Sequence, residues 1–133
     1  MNITFISLNF APEDSAIGLY SSQWVKHLES KGHSVTVVTA FPYYPHWEIS
    51  EEYKSKPWFF QEYSGPTKLL RYKQYVPKNP NFTKRILHLF DFSIGTFINI
   101  LKVKNTDVVL CIVPFIGTVF LGKILSKIKY LSF

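Results

Sequence analysis

Residues 2–20 read NITFISLNFAPEDSAIGLY, and this stretch decides the fold. Among its first nine residues, which are mostly apolar, apolar and polar side chains nearly alternate, a pattern typical of a buried β-strand. A short polar loop follows, and from about residue 18 the apolar residues recur at helical spacing. A strand, a loop and a helix start in this order predict a cradle for a ligand at the beginning of the helix.

The rest of the chain repeats this alternation of short and long apolar units. The pattern predicts strands at residues 3–10, 34–41, 68–76 and 107–113, helices at about 18–31, 82–103 and 116–129, and the opening of a further strand at 130–133. Residues 42–67 hold too many prolines and glycines for a long element, apart from a helical turn at 48–54. Strands alternating with helices predict a single-domain α/β fold, a Rossmann-like sandwich with a mostly parallel sheet. The loops that start at Asn9, Phe41 and Pro114 should then share one rim.

The composition suits one folded domain in a reducing compartment. Of the 133 residues, 47% are hydrophobic and 17% aromatic, which is enough for a core. The one cysteine, Cys111, lies in an apolar run, where we expect a small buried hydrophobe and not a nucleophile. The first residues lack the basic segment and cleavage site of a signal peptide, so we expect a cytoplasmic protein.

The charge is distributed unevenly along the chain. The net charge is +6, with a balance of −3 over residues 1–67 and +9 over residues 68–133. A basic second half suits nucleic acid, an anionic membrane or phosphorylated ligands. Lysines that only keep the domain in solution remain an equal alternative.

Residues 86–101 are apolar but do not span a membrane, because a span needs about 20 predominantly apolar residues. His88, Asp91 and Asn99 interrupt the run. We expect an amphipathic helix that either packs in the core or lies partly against a membrane surface. In the second case Lys84 and Arg85, at its start, would face the membrane.

The loop before the first helix, with Gly18 at the helix start, predicts a phosphate partner. Helix N-termini present free N–H groups and a partial positive charge, and a glycine allows close approach. A dinucleotide fingerprint would need further glycines here and an acidic residue after the second strand, which ends in Thr39-Ala40-Phe41, so NAD is disfavoured. Gly18 could instead serve only close packing of the helix.

A cluster of aromatic residues begins at PYYPHW, residues 42–47. Aromatic faces suit the C–H surfaces of sugars or a lipid interface. About half of the rings between residues 43 and 63 should form a satellite core. His46 is the one histidine in a candidate rim loop, but no partner carboxylate is identifiable near it in the sequence, so a role as a base is a minor alternative.

No metal-ligand spacing, Walker loop or nucleophile elbow is present in the sequence, so it predicts no metal and no cofactor and leaves the catalytic residues unknown.

Four motifs together resemble one family: P-E-x-x-x-I-G-x-Y at 12–20, L-x-x-x-G-H-x-V-x-V-V-T at 28–39, P-Y-Y-P at 42–45 and Y-V-P-K-x-P at 75–80. The chain resembles the N-terminal domain of retaining GT-B glycosyltransferases of the group-1 class. Within that class it is similar to the colanic acid biosynthesis glycosyltransferases that build bacterial exopolysaccharide. The resemblance covers nearly the whole chain.

The resemblance implies that residues 1–133 are the acceptor-binding half of a two-domain enzyme. The partners it implies are a nucleotide-sugar donor and a polyprenyl-linked saccharide at the inner face of the cytoplasmic membrane, with no nucleic acid. Ala16, Ile17 and Gly18 would face the donor diphosphate, although family members often have a glycine where Ala16 stands. The acceptor side would be formed by Tyr43, Tyr44, His46 and Trp47.

The motifs also imply a donor-binding domain that these 133 residues do not contain. We therefore expect a transferase domain that is inactive alone. A non-catalytic module that docks on a membrane or a partner is the alternative from another class, and a nucleotide-binding oxidoreductase domain is the third.

Overall fold

A computed structural model describes residues 1–113 and 115–129. These residues form one five-stranded sheet in the order β3-β4-β2-β1-β5, with helices on both faces. The strands are β1 (Asn2–Ile6), β2 (Ser34–Ala40), β3 (Phe59–Ser64), β4 (Thr67–Tyr72) and β5 (Val108–Cys111). All pairings are parallel except that of β3 with β4. The predicted α/β fold with a mostly parallel sheet is confirmed.

The helices are α1 (Ala16–Ser30), α2 (Glu51–Lys54), α3 (Phe82–Leu101) and α4 (Gly117–Ile128). The three long helices lie within two residues of their predicted bounds. Side-chain caps explain two of the starts, since Ser15 accepts a hydrogen bond from the Gly18 amide and Asn81 accepts one from the Lys84 amide. The strand predicted at residues 130–133 lies outside the described residues.

The prediction for residues 42–67 was wrong in one respect, because β3 forms there. It pairs with β4 as a hairpin, with Ser64 opposite Thr67 across a turn in which Gly65 has φ 59°. Its side chains are all half-buried or exposed, which suits an edge strand rather than the apolar runs of the parallel strands. Three predicted strands end earlier than expected: β1 at Ile6, β4 at Tyr72 and β5 at Cys111.

Two cores form on opposite faces of the sheet. One packs alternate residues of β1, β2 and β4 against α1 and is made of Ile3, Phe5, Phe10, Val25, Val35, Val37 and Leu69. The other packs the intervening residues against α3 and α4 and is made of Ile6, Val38, Leu70, Ile100, Val103, Leu121 and Leu125. Cys111 is half-buried against this second core, and burial raises the pKa of its thiol to about 11, which agrees with an unreactive apolar role.

The side of α3 and α4 that faces away from the sheet is apolar and exposed. We call it the outer face; it comprises Phe82, Ile86, Leu87, Phe90, Ile94, Phe97, Ile98, Leu101, Phe120, Ile124 and Ile128. Phe82 is 80% exposed and Phe90 is 65% exposed. Among the described residues, no helix is long and apolar enough to cross a membrane.

Candidate functional site at the rim of the sheet

The loops that follow β1 and β2 lie side by side beyond the carboxyl ends of the strands. The buried Arg71 of β4 fixes them from below: its Nη1 donates to the Ala40 carbonyl at 3.0 Å and its Nη2 donates to the Ala11 carbonyl. Its Nε donates to Glu62 at 2.5 Å, which completes the pairing of this buried charge. Gln74 further anchors the second loop through two hydrogen bonds of 3.0 Å to the Phe41 backbone.

A pocket of about 350 Å³ opens between these two loops. It is lined by Asn9, Ser15, Ala16, Ile17, Tyr43, Tyr44 and Trp47. The structure thus brings together residues predicted to face a diphosphate and residues predicted to face an acceptor, although they are about 27 positions apart in sequence. Gly18 and His46 are not among the lining residues, and His46 is exposed on the loop.

A second, smaller pocket of about 60 Å³ adjoins the first and shares Asn9 and Ile17 with it. It lies where β1 and β5 end, and its other lining residues are Ser7, Leu8, Ile112, Val113 and Phe115. The sheet order reverses direction between β1 and β5, which is the position where open α/β sheets bind ligands. This agrees with the predicted shared rim, whereas Pro114 itself lies outside the described residues.

The start of α1 offers only part of the predicted phosphate cradle. The amide of Gly18 is already bonded to the Ser15 hydroxyl at 3.0 Å. A Cβ atom at Gly18 would lie 3.0 Å from the Glu13 carbonyl oxygen, so this glycine permits close packing of the loop on the helix. The amides of Ala16 and Ile17, at the first two helical positions, precede those that bond within a helix and can serve a ligand.

The aromatic loop packs against α3 through a residue that the sequence analysis did not select. The ring of His88, 1% exposed, lies 4.7 Å from the ring of Tyr43 and 5.4 Å from that of Trp47. Its Nδ1 is 2.5 Å from the Tyr75 carbonyl, while its buried Nε2 has no hydrogen-bond partner among the described residues. Burial lowers the pKa of His88 and so favours its neutral form. In the sequence it counted only as one of the residues that interrupt the apolar run at 86–101.

Glu13 is the second residue missed. It is buried directly beside the pocket, where one oxygen accepts from Asn9 Nδ2 at 2.8 Å and the other accepts from the Tyr43 amide at 3.4 Å. Burial raises the pKa of its carboxyl to about 7 in spite of these hydrogen bonds. The sequence did carry a signal for Glu13: its carboxylate follows shortly after the end of the first predicted strand, and it belongs to the P-E motif at 12–20.

The two residues predicted to face a membrane have different surroundings. Arg85 is exposed, and its guanidinium lies over the Trp47 ring at 5.3 Å from the ring centroid. Lys84 is half-buried one position earlier on the helix. Arg85 therefore borders the pocket as well as the start of α3.

Among residues 1–113 and 115–129, no cluster of acidic, histidine or cysteine side chains could hold a metal ion.

Comparison with known proteins gives one informative match. No family model matches the chain. The chain is 35% identical over 116 residues, 86% of its length, to the putative colanic acid biosynthesis glycosyl transferase WcaI of Escherichia coli (strain K12). It spans 28% of the length of that curated relative. The match confirms what the four motifs indicate: the chain resembles the colanic acid biosynthesis glycosyltransferases.

Proposed function

We propose that the chain is the acceptor-binding domain of a retaining glycosyltransferase in bacterial capsule or exopolysaccharide biosynthesis. The parent enzyme would transfer a sugar from a nucleotide-sugar donor to a lipid-linked saccharide. The observation that carries this proposal is the pocket between the two rim loops, in a chain similar to a colanic acid glycosyl transferase. Residues 1–133 would form the N-terminal half, and the donor-binding domain would close over the rim from the other side.

The acceptor would lie against the aromatic wall of the pocket. Tyr43 and Trp47 meet edge to face at 5.3 Å, and the exposed Tyr44 extends the same wall. Such rings pack against the C–H faces of a pyranose, while the phenol of the exposed Tyr44 would reach its hydroxyls. His46, exposed on the same loop, would contact the part of the acceptor that projects from the pocket.

The donor diphosphate would face the opposite wall, at the start of α1. The amides of Ala16 and Ile17 and the partial positive charge of a 15-residue helix favour an anion there. Gly18 would act indirectly, by letting the loop approach the helix closely enough to present those two amides.

The outer face of α3 and α4 supports attachment to the inner surface of the cytoplasmic membrane. It combines exposed Phe, Ile and Leu side chains with basic residues at its borders, among them Lys84, Arg85, Lys123 and Lys127. An apolar helix face flanked by basic residues binds anionic lipid surfaces without spanning them. This arrangement would bring the pocket to a polyprenyl-linked saccharide.

The same outer face favours one other candidate function, a non-catalytic module that docks on a membrane or a partner protein. Such a module would need the outer face but not the pocket.

Nucleotide release separates the two candidates. A protein that carries this chain together with a donor domain is incubated with UDP-, GDP- and dTDP-sugars and with octyl β-D-glucopyranoside, and nucleoside diphosphate release is measured. We expect release with one donor, loss of release in Trp47→Ala and full release in Trp58→Ala, a matched exposed tryptophan outside the pocket. Residues 1–133 alone should release none. Absence of release with every donor, or an unaffected Trp47→Ala variant, would contradict the transferase proposal.

A further inference from the structure

Glu13 connects the two walls of the pocket. It lies in the loop between β1 and α1, is 8% exposed, and bonds both Asn9 on its own loop and the Tyr43 amide on the aromatic loop. Asn9 and Tyr43 both line the pocket, while Glu13 itself does not. Its carboxyl therefore acts on the pocket through two residues that a ligand would touch.

The carboxylate form is the one that suits these contacts. Asn9 Nδ2 and the Tyr43 amide are both donors, and each needs an acceptor oxygen. A protonated carboxyl has one oxygen that carries a hydrogen, so it can no longer accept equally at both positions. A glutamine at this position would likewise turn an N–H group toward one of the two donors.

Among residues 1–113 and 115–129, no cation forms an ion pair with Glu13. Arg71 of β4 acts on it only at a distance, because the three nitrogens of its guanidinium are engaged by Glu62 and the carbonyls of Ala40 and Ala11. From the aromatic loop, the Tyr43 phenol faces Glu13 and Asn9; burial, and after it the nearby carboxyl, raises the pKa of this phenol. From the start of α1, Ser15 contributes a hydroxyl. The carboxyl is thus held by hydrogen bonds from neutral groups, which are weaker than an ion pair with a cation.

We propose that Glu13 is a positioning residue that, as a carboxylate, locks Tyr43 and Asn9 in the arrangement that binds the saccharide acceptor. The acceptor part of this inference rests on the proposed function, whereas the lock itself does not. Because the pKa of Glu13 is about 7, the lock forms as the pH rises from 6 to 8, and saccharide binding strengthens over the same interval.

The lock is tested without any ligand by nuclear magnetic resonance of the 133-residue chain between pH 5 and 9. We expect the Tyr43 amide and the Asn9 side-chain amide to titrate together with a midpoint near pH 7. The titration should vanish in Glu13→Gln and persist in Asp14→Asn, which removes a carboxylate from an exposed neighbouring position. If Glu13→Gln does not fold, the lock is still tested by the titration of the wild type and by that of Glu13→Asp. The shorter side chain of Glu13→Asp should weaken both contacts. Constant signals in the wild type, or a titration that survives in Glu13→Gln, would overturn the lock.

The role in binding is tested with octyl β-D-glucopyranoside below its critical micelle concentration. We expect its dissociation constant to rise about tenfold in Glu13→Gln and to fall with increasing pH in the wild type only. Equal, pH-independent affinity in both proteins would overturn the positioning role. A wild-type chain that titrates as expected but shows no affinity for the probe would count against the saccharide site, and so against the proposed function, while leaving the lock intact.

Discussion

The guanidinium of Arg85 lies over the indole ring of Trp47, 5.3 Å from its centroid. Arg85 belongs to the first turn and a half of α3, whereas Trp47 lines the pocket between the rim loops. One cation thus links the helix that carries the outer face to the aromatic wall of the pocket.

Removing that cation should loosen Trp47. In Arg85→Ala we expect the affinity for octyl β-D-glucopyranoside to fall about threefold, because an exposed cation–π contact contributes roughly 0.5–1 kcal/mol. Titration by intrinsic fluorescence measures this. Lys104→Ala removes one exposed positive charge away from the pocket and should leave the affinity unchanged; an equal loss in both variants would indicate a general charge effect instead of the contact.

Acidic residues on the outer face should weaken membrane binding. We expect the double variant Phe82→Glu, Phe90→Glu to sediment with vesicles of phosphatidylglycerol at least tenfold less than the wild type, since both rings are largely exposed. Tyr20→Glu, Trp24→Glu on α1 is the matched control, because these aromatic residues are also largely exposed but lie on the opposite face of the sheet. Equal binding by both double variants would refute the membrane role of α3.

The amide at the first position of α1 can be removed without breaking the helix. Proline is tolerated at this position, and the extended backbone of Ser15, with φ −77° and ψ 151°, suits a residue that precedes proline. We therefore expect Ala16→Pro to fold normally and to bind inorganic pyrophosphate several-fold more weakly by calorimetry. Ala16→Gly, which keeps the amide, should bind at least as well as the wild type. Unchanged binding by Ala16→Pro would exclude this amide from an anion site.

Glu13 should make the stability of the fold depend on pH. Its folded-state pKa of about 7 exceeds the ordinary value of 4.5, so the folded state holds the proton more tightly than the unfolded state. Its contribution is complete below pH 4.5 and is lost as the pH rises through 7, by at most about 3 kcal/mol. His88 acts in the opposite direction, because its pKa is lowered on folding. Urea unfolding of Glu13→Gln should therefore lack the loss seen in the wild type, whereas Asp14→Asn should retain it.

Gly95 of α3 should not tolerate a side chain. A Cβ atom there would lie 2.0 Å from Cδ1 of Tyr72, whose hydroxyl donates to Asp91 at 2.9 Å and so holds the ring in place. We expect Gly95→Ala to lower the free energy of unfolding by about 1–3 kcal/mol in urea. The exposed Thr83→Ala on the same helix should change little. Adding Tyr72→Leu should recover part of the loss; a purely additive double variant would argue against the contact.

Periodicity predicted the long helices, the parallel strands and the common rim, because each depends on local spacing and on the way parallel strands are connected. It failed at β3, whose half-exposed edge position leaves no continuous apolar run between Phe59 and Ser64. The structure, not the spacing, showed that the hairpin turn lies at Gly65.

The pocket was predictable in its parts but not in its connections. The aromatic loop and the start of α1 each carried a recognisable signal. The contact of His88 with Tyr43 joins residues 45 positions apart, and the hydrogen bond of the Tyr43 amide to Glu13 joins residues 30 positions apart. Neither follows from any local pattern, since both arise only when the sheet places the loops together.

The buried guanidinium of Arg71 fixes the shape of the pocket before any ligand arrives. By joining Ala11, Ala40 and Glu62, it ties the rim loops to each other and to the hairpin at the edge of the sheet. Loops that are already ordered lose little conformational entropy when they bind a ligand. Because this cost is small, more of the free energy from weak contacts with a flexible, hydrated sugar remains as binding free energy. A lysine at position 71 would keep the charge but lose this fork of donors, so the two rim loops would no longer be joined through one side chain.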